Sequence, residues 1–108
     1  MIALELTTFE RLTLGNWVAQ QKGDLRQIRQ WIQVLDVLEL SEAEKNAVGY
    51  VQHPNGQAVW KETERTFEIA LEYALFALLQ PALKAPWPAN RLILAMLDKI
   101  EAARGSSS

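Results

Sequence analysis

The chain has no cysteine and a single histidine, His53, in 108 residues. Without cysteine there is neither a disulfide framework nor a thiolate zinc site. A lone histidine has no second one to share a metal ion with, and a general base needs an orienting partner. Catalytic and metal-ligating readings therefore have no constellation to start from, and the expectation is a non-enzymatic protein without metal or cofactor. Long apolar runs are also missing. No stretch approaches the ~18 apolar residues of a spanning helix, and no charged segment leads into an apolar one as in a secretory leader. A soluble, cytoplasmic protein that does not enter a membrane is expected. An excess of charge of one sign is missing as well. Eleven basic residues against 13 acidic ones leave a formal net charge of −2, which exerts no general pull on a phosphate backbone.

What is present suits a globular domain: 49% of residues are hydrophobic and 22% charged, well outside the composition of disordered chains. One domain over residues 1–104 is expected, with 105–108 (Gly-Ser-Ser-Ser) set apart as a flexible tail.

Ile2, Leu4 and Leu6 alternate with Ala3, Glu5 and Thr7, the period of a half-buried strand. Thr7 and Glu10 form a capping-box pattern that starts a helix near Thr8. Gly23-Asp24 breaks the chain and caps a second helix to Leu38, with Leu25, Ile28, Trp31, Ile32, Leu35 and Leu38 on one arc and Arg26, Arg29, Gln30, Gln33 and Asp36 on the other. That arc is expected to face the core. Ser41 and Glu44 repeat the capping box and open a short helix from Glu42 to about Val48, ended by Gly49. Pro54-Asn55-Gly56 then marks a hairpin within Tyr50 to Trp60. If Asn55-Gly56 is its two-residue turn, Val51 faces Trp60 and His53 faces Ala58. A short strand over Arg65 to Ile69 is expected to lead into an apolar helix from about Ala70 to Lys84, kinked at Pro81. Pro86-Trp87-Pro88 breaks the chain before a last helix, Ala89 to Ala103, built on Leu92, Ile93, Met96, Leu97 and Ile100. The fold class is mainly helical α+β, four to five helices with a small antiparallel sheet around the one hairpin.

Candidate functional residues are those the architecture alone does not require. Tyr73 and Phe76 fall on the polar side of the expected 70–84 helix, and Leu94 falls among the polar residues of the last one. Either Phe76 and Leu94 cover each other across a helical hairpin, or they join Tyr73 and the proline-flanked Trp87 in an exposed apolar patch for a protein partner or a second copy. Trp17, Trp31 and Trp60 fit core faces instead. Arg26, Arg29, Gln30 and Gln33 are side chains able to read base edges, and helices followed by a hairpin suggest a winged-helix nucleic-acid regulator. The groove-entering helix would then be Ser41 to Val48, whose Glu42 and Glu44 repel phosphate, so nucleic acid is the less favoured partner. Glu62, Glu64, Glu68 and Glu72, interleaved with Lys61 and Arg65, read as a solvated, charge-compensated edge.

The order of these signals resembles that of small phage and prophage proteins of unknown function. The resemblance rests on Phe9-Glu10-Arg11-Leu12, Gly23-Asp24-Leu25 with Ile28-Arg29, and Leu40-Ser41-Glu42-Ala43-Glu44. Gly56, Trp60 and Phe67-Glu68-Ile69 continue it, and Pro81 and Pro86-Trp87-Pro88 depart from it. It implies a bacterial cytoplasmic setting and an accessory, non-enzymatic role such as binding a host or defence factor. It supplies no functional residue.

Overall fold

The computed structural model describes residues 1–61 and 66–106, with side chains to Arg104. Glu62, Glu64 and Arg65 of the expected charged edge lie outside the described residues, as do Ser107 and Ser108. The elements run β1 (Ile2–Thr7), α1 (Thr8–Ala19), α2 (Leu25–Leu38), α3 (Glu42–Val48), β2 (Val51–Gln52), β3 (Ala58–Val59), β4 (Thr66–Leu71), α4 (Tyr73–Ala77), a 3₁₀ turn (Gln80–Lys84) and α5 (Arg91–Ser106). The chain is mainly helical α+β, as its periodicity implies.

The main sheet pairs β1 with β4, antiparallel, from Ile2 opposite Leu71 to Thr7 opposite Thr66. Partners across a ladder share a face. Ile2, Leu4, Leu6, Ile69 and Leu71 are therefore buried together, while Glu5 and Glu68 stand directly opposite each other in solvent. The expected sheet around the hairpin is reduced to the two-residue strands β2 and β3, which form a separate ribbon.

The hairpin register also differs from expectation. Val51 faces Val59 rather than Trp60, and His53 pairs with Gln57 rather than Ala58. Pro54 fixes a negative φ at the first turn position, and only Gly56, at φ +87°, is left-handed. His53 to Gly56 therefore make a proline turn closed by the Gly56 N–H on the His53 carbonyl. Gly56 becomes the extra residue, which shifts the register by one.

Strand β4 takes Ala70 and Leu71, which pair with Ala3 and Ile2, so the expected 70–84 helix does not form as one piece. Glu72 precedes the short α4, and Pro81 falls in the first turn of the 3₁₀ segment, where its missing N–H costs nothing. Helix α5 starts at Arg91 rather than Ala89. The Asn90 side chain accepts the Leu92 N–H at 2.8 Å, and the helix runs on through Gly105 and Ser106.

The core gathers residues from both β1 and β4 and from every helix but α3: Leu6, Leu14, Val18, Val34, Leu38, Leu71, Phe76, Leu79, Met96 and Ile100. Each such side chain stabilises the fold by roughly 1.5–3 kcal/mol relative to exposure. Three capping boxes open α1, α2 and α3, on Thr7 with Glu10, Asp24 with Gln27, and Ser41 with Glu44. Two of them also carry tertiary contacts. The Glu10 carboxylate, buried, accepts the Lys99 ammonium of α5 at 2.5 Å. Glu44 pairs with Arg11 of α1, whose guanidinium also donates to the carbonyls of Leu38 at 3.0 Å and Glu39 at 2.5 Å. Arg11 thereby fixes α1, the carbonyl end of α2 and the start of α3 relative to one another.

Candidate functional site

Helix α2 is where the fold departs most from its own sequence pattern. At about 100° per residue, its apolar arc spans roughly half the helix circumference. The chain covers only one half of that arc. Val34 and Leu38 are buried, and Trp31, Leu35 and Val37 pack partly against the core. Leu25, Ile28 and Ile32, expected to face the core, are 67%, 37% and 49% exposed. They lie within about 60° of one another at i, i+3 and i+7 spacing, the spacing of a helix–helix seam.

The inward side of α2 packs on α1. Gly15 of α1 faces Leu35, whose methyl would lie in ordinary contact, 3.9 Å, with an added Cβ. Trp31 turns edge-on to Trp17, with ring centroids 5.7 Å apart. These contacts place the Val34–Leu38 side inward and leave the Leu25–Ile32 side outward. Arg29 and Asp36 border the open stripe, and neither forms an ion pair among the described residues.

The four aromatic and apolar residues singled out from the sequence do not form one patch. Phe76 is 3% exposed and belongs to the core, because α4 begins at Tyr73 and is turned differently from a helix begun at Ala70. Leu94 is 57% exposed, so the two do not cover each other. Tyr73 is exposed on α4. Trp87 is half-buried. Its indole N–H donates to the Ala82 carbonyl at 2.7 Å, and its ring lies 6.4 Å from that of Trp17. Trp87 thus closes over the 3₁₀ turn, and Trp31, Trp17 and Trp87 make an aromatic row from α2 to the head of α5. Beyond it a shallow apolar groove is lined by Trp87, Pro88, Ile93, Leu94 and Leu97. Leu92, expected in the core stripe of α5, is exposed. Trp60, also expected in the core, stacks instead on Tyr50 at 6.5 Å, with the Lys45 ammonium 5.6 Å from the Tyr50 ring.

Arg26, Arg29, Gln30 and Gln33 do come together, around a shallow cleft on the outer face of α2 that Asp24 also lines. Helix α3, which would enter a groove in a winged-helix arrangement, carries its Glu44 turned inward to Arg11 and its Glu42 outward. Burial pushes the Glu44 carboxyl up, but the Ser41 backbone N–H, the Arg11 guanidinium and the Ser41 hydroxyl together hold it below its ordinary range. Glu68 is exposed on β4 and Glu72 precedes α4, so the described members of the carboxylate series share no site. Among the described residues no three His, Asp or Glu side chains gather as a metal site, and no helix is long and apolar enough to cross a membrane.

Comparison with protein families, curated proteins and solved structures finds no match to this chain.

Proposed function

We propose that this domain is a small non-enzymatic protein-interaction module and that the open face of α2 is its contact surface. The observation that carries the reading is the row Leu25, Ile28 and Ile32, exposed on a helix whose other apolar residues are packed. Burying three such side chains is the dominant favourable term available to an association, and contiguous exposed apolar residues mark contact sites more often than isolated ones do. The half-buried Trp31 at the inner edge of the stripe supplies a rigid aromatic anchor of the kind that dominates binding energy. Leu94 and the groove beside Trp87 extend apolar surface to the head of α5. Within the phage and prophage resemblance, a host or defence factor is the partner that this reading implies.

A photoreactive phenylalanine analogue placed at Ile28 tests the proposal. Covalent adducts with protein, absent when the same analogue replaces the exposed Ala47 of α3, are expected. Adducts at Ala47 as abundant as those at Ile28 would overturn it.

A further inference from the structure

We infer that the occupant of the α2 face is a second copy of this chain, with the two α2 helices crossing antiparallel about Ile32, midway between Arg29 and Asp36. The inference rests on the interaction reading above and adds a partner to it.

Its basis is the order of charge along α2. A helix favours anions at its amide end and cations at its carbonyl end. Here Arg26 and Arg29 occupy the amide-end half, while Asp36 and Glu39 occupy the last turn and the C-cap. Of the charged residues on α2 and its caps, only Asp24 follows the dipole. Neither guanidinium and neither carboxylate forms an ion pair among the described residues, so nothing in the chain itself compensates this order.

An antiparallel second copy compensates it on both counts. It opposes the two helix dipoles, and it brings the Arg26–Arg29 end of each copy alongside the Asp36–Glu39 end of the other. A parallel copy would set Arg29 against Arg29 and Asp36 against Asp36. The apolar seam agrees with this. A two-fold axis near Ile32 is isologous, so each contact made by one copy is made again by the other, and a short stripe is used twice. Ile28 then meets the Val37 level of the opposite helix. A 14-residue helix is about 21 Å long and gives an interface at the small end of the specific range. The expected dimer is therefore weak, with a dissociation constant on the order of 10 µM.

Sedimentation velocity from about 1 to about 500 µM tests this. Wild type is expected to pass from monomer to dimer, and Ile32→Asp to remain monomeric throughout. Arg29→Glu is expected to raise the dissociation constant about fivefold or more, and Arg29→Glu with Asp36→Arg to restore most of the loss. Circular dichroism of each variant at low concentration verifies that it folds, and Ile32→Asn replaces Ile32→Asp if the latter does not. Wild type monomeric over the whole range overturns the inference. A dimer that survives Ile32→Asp, or one indifferent to Arg29→Glu, overturns it too. A monomeric wild type that still forms adducts from Ile28 with a different protein removes the second copy and leaves the interaction module standing.

Discussion

Arg11 and Glu44, 33 residues apart in sequence, form one ion pair whose members each close a helix end. The guanidinium is 2% exposed and satisfies carbonyls at the end of α2, while the second Glu44 oxygen accepts the Ser41 N–H that opens α3. Removing one member of such a pair leaves the other charge without compensation. Arg11→Met is expected to lower unfolding free energy by about 3–5 kcal/mol, measured by chemical denaturation. Arg11→Lys should recover little, because an ammonium cannot reproduce the fork of donors.

Acid stability follows from the same pair. The Glu44 carboxyl titrates below its ordinary value in the folded chain, so the unfolded state binds the proton first as pH falls. The resulting stabilisation is full above the unfolded pKa of about 4.3 and is lost as pH drops through the lower folded value. Thermal midpoints should therefore decline below about pH 5, and Glu44→Gln, which keeps a capping side chain but not the charge, should start lower and decline less. Parallel pH profiles for the two proteins would contradict this.

Two glycines near α2 should respond oppositely. An alanine at Gly15 meets only ordinary contact with Leu35 and improves an α1 interior, so Gly15→Ala is expected to stabilise by about 0.5–1 kcal/mol. At Gly23 the added methyl would lie 2.7 Å from the Gln27 Cβ. Gly23→Ala should disrupt the Asp24–Gln27 capping box and destabilise by about 1 kcal/mol. Thermal denaturation of the two variants side by side decides the signs.

Across the sheet, Glu5 and Glu68 repel each other from directly opposite positions. Glu68→Lys is expected to raise stability by about 0.2–1 kcal/mol at low salt, with the gain shrinking as salt is added. A destabilised variant would mean that the two carboxylates are held by something other than each other.

Phe76 and Leu94 now separate cleanly. Phe76→Ala should cost about 3–5 kcal/mol as a core truncation, whereas Leu94→Asp should change stability by no more than about 0.5 kcal/mol. Calorimetry on both variants checks the assignment.

The parts of the fold legible in the sequence are those fixed by local chemistry. Thr7 with Glu10, Ser41 with Glu44, and Asp24 each place a helix start to within a residue, because a cap is satisfied by neighbours three positions away. Gly49, at φ +66°, ends α3 where expected. What was not legible depends on residues far apart. The pairing of Ile2–Thr7 with Thr66–Leu71 closes a long loop that no local signal encodes, and it draws Ala70 and Leu71 out of a helix that their apolarity alone favours. Which side of α2 meets α1 is likewise a matter of tertiary packing, with Leu35 against Gly15 and Trp31 against Trp17. Periodicity identifies the apolar arc but not which half of it the chain covers, so Leu25, Ile28 and Ile32 read as core. A charge order running against the helix dipole was the one sequence signal that could have singled α2 out. Leu94 and Tyr73 are exposed and Phe76 is not, because β4 takes up Ala70 and Leu71 and so changes the phase of the helix that carries Phe76.

The most direct measurement is the thermal midpoint of Leu25→Glu/Ile32→Glu against wild type at about 1 µM and again at about 500 µM. At the low concentration the two midpoints should agree within about 2 °C, since neither side chain contributes to the core of a single copy. At the high concentration wild type should gain several degrees and the variant none. A variant destabilised by several kcal/mol at 1 µM would show that the stripe belongs to the chain's own core and would contradict the account.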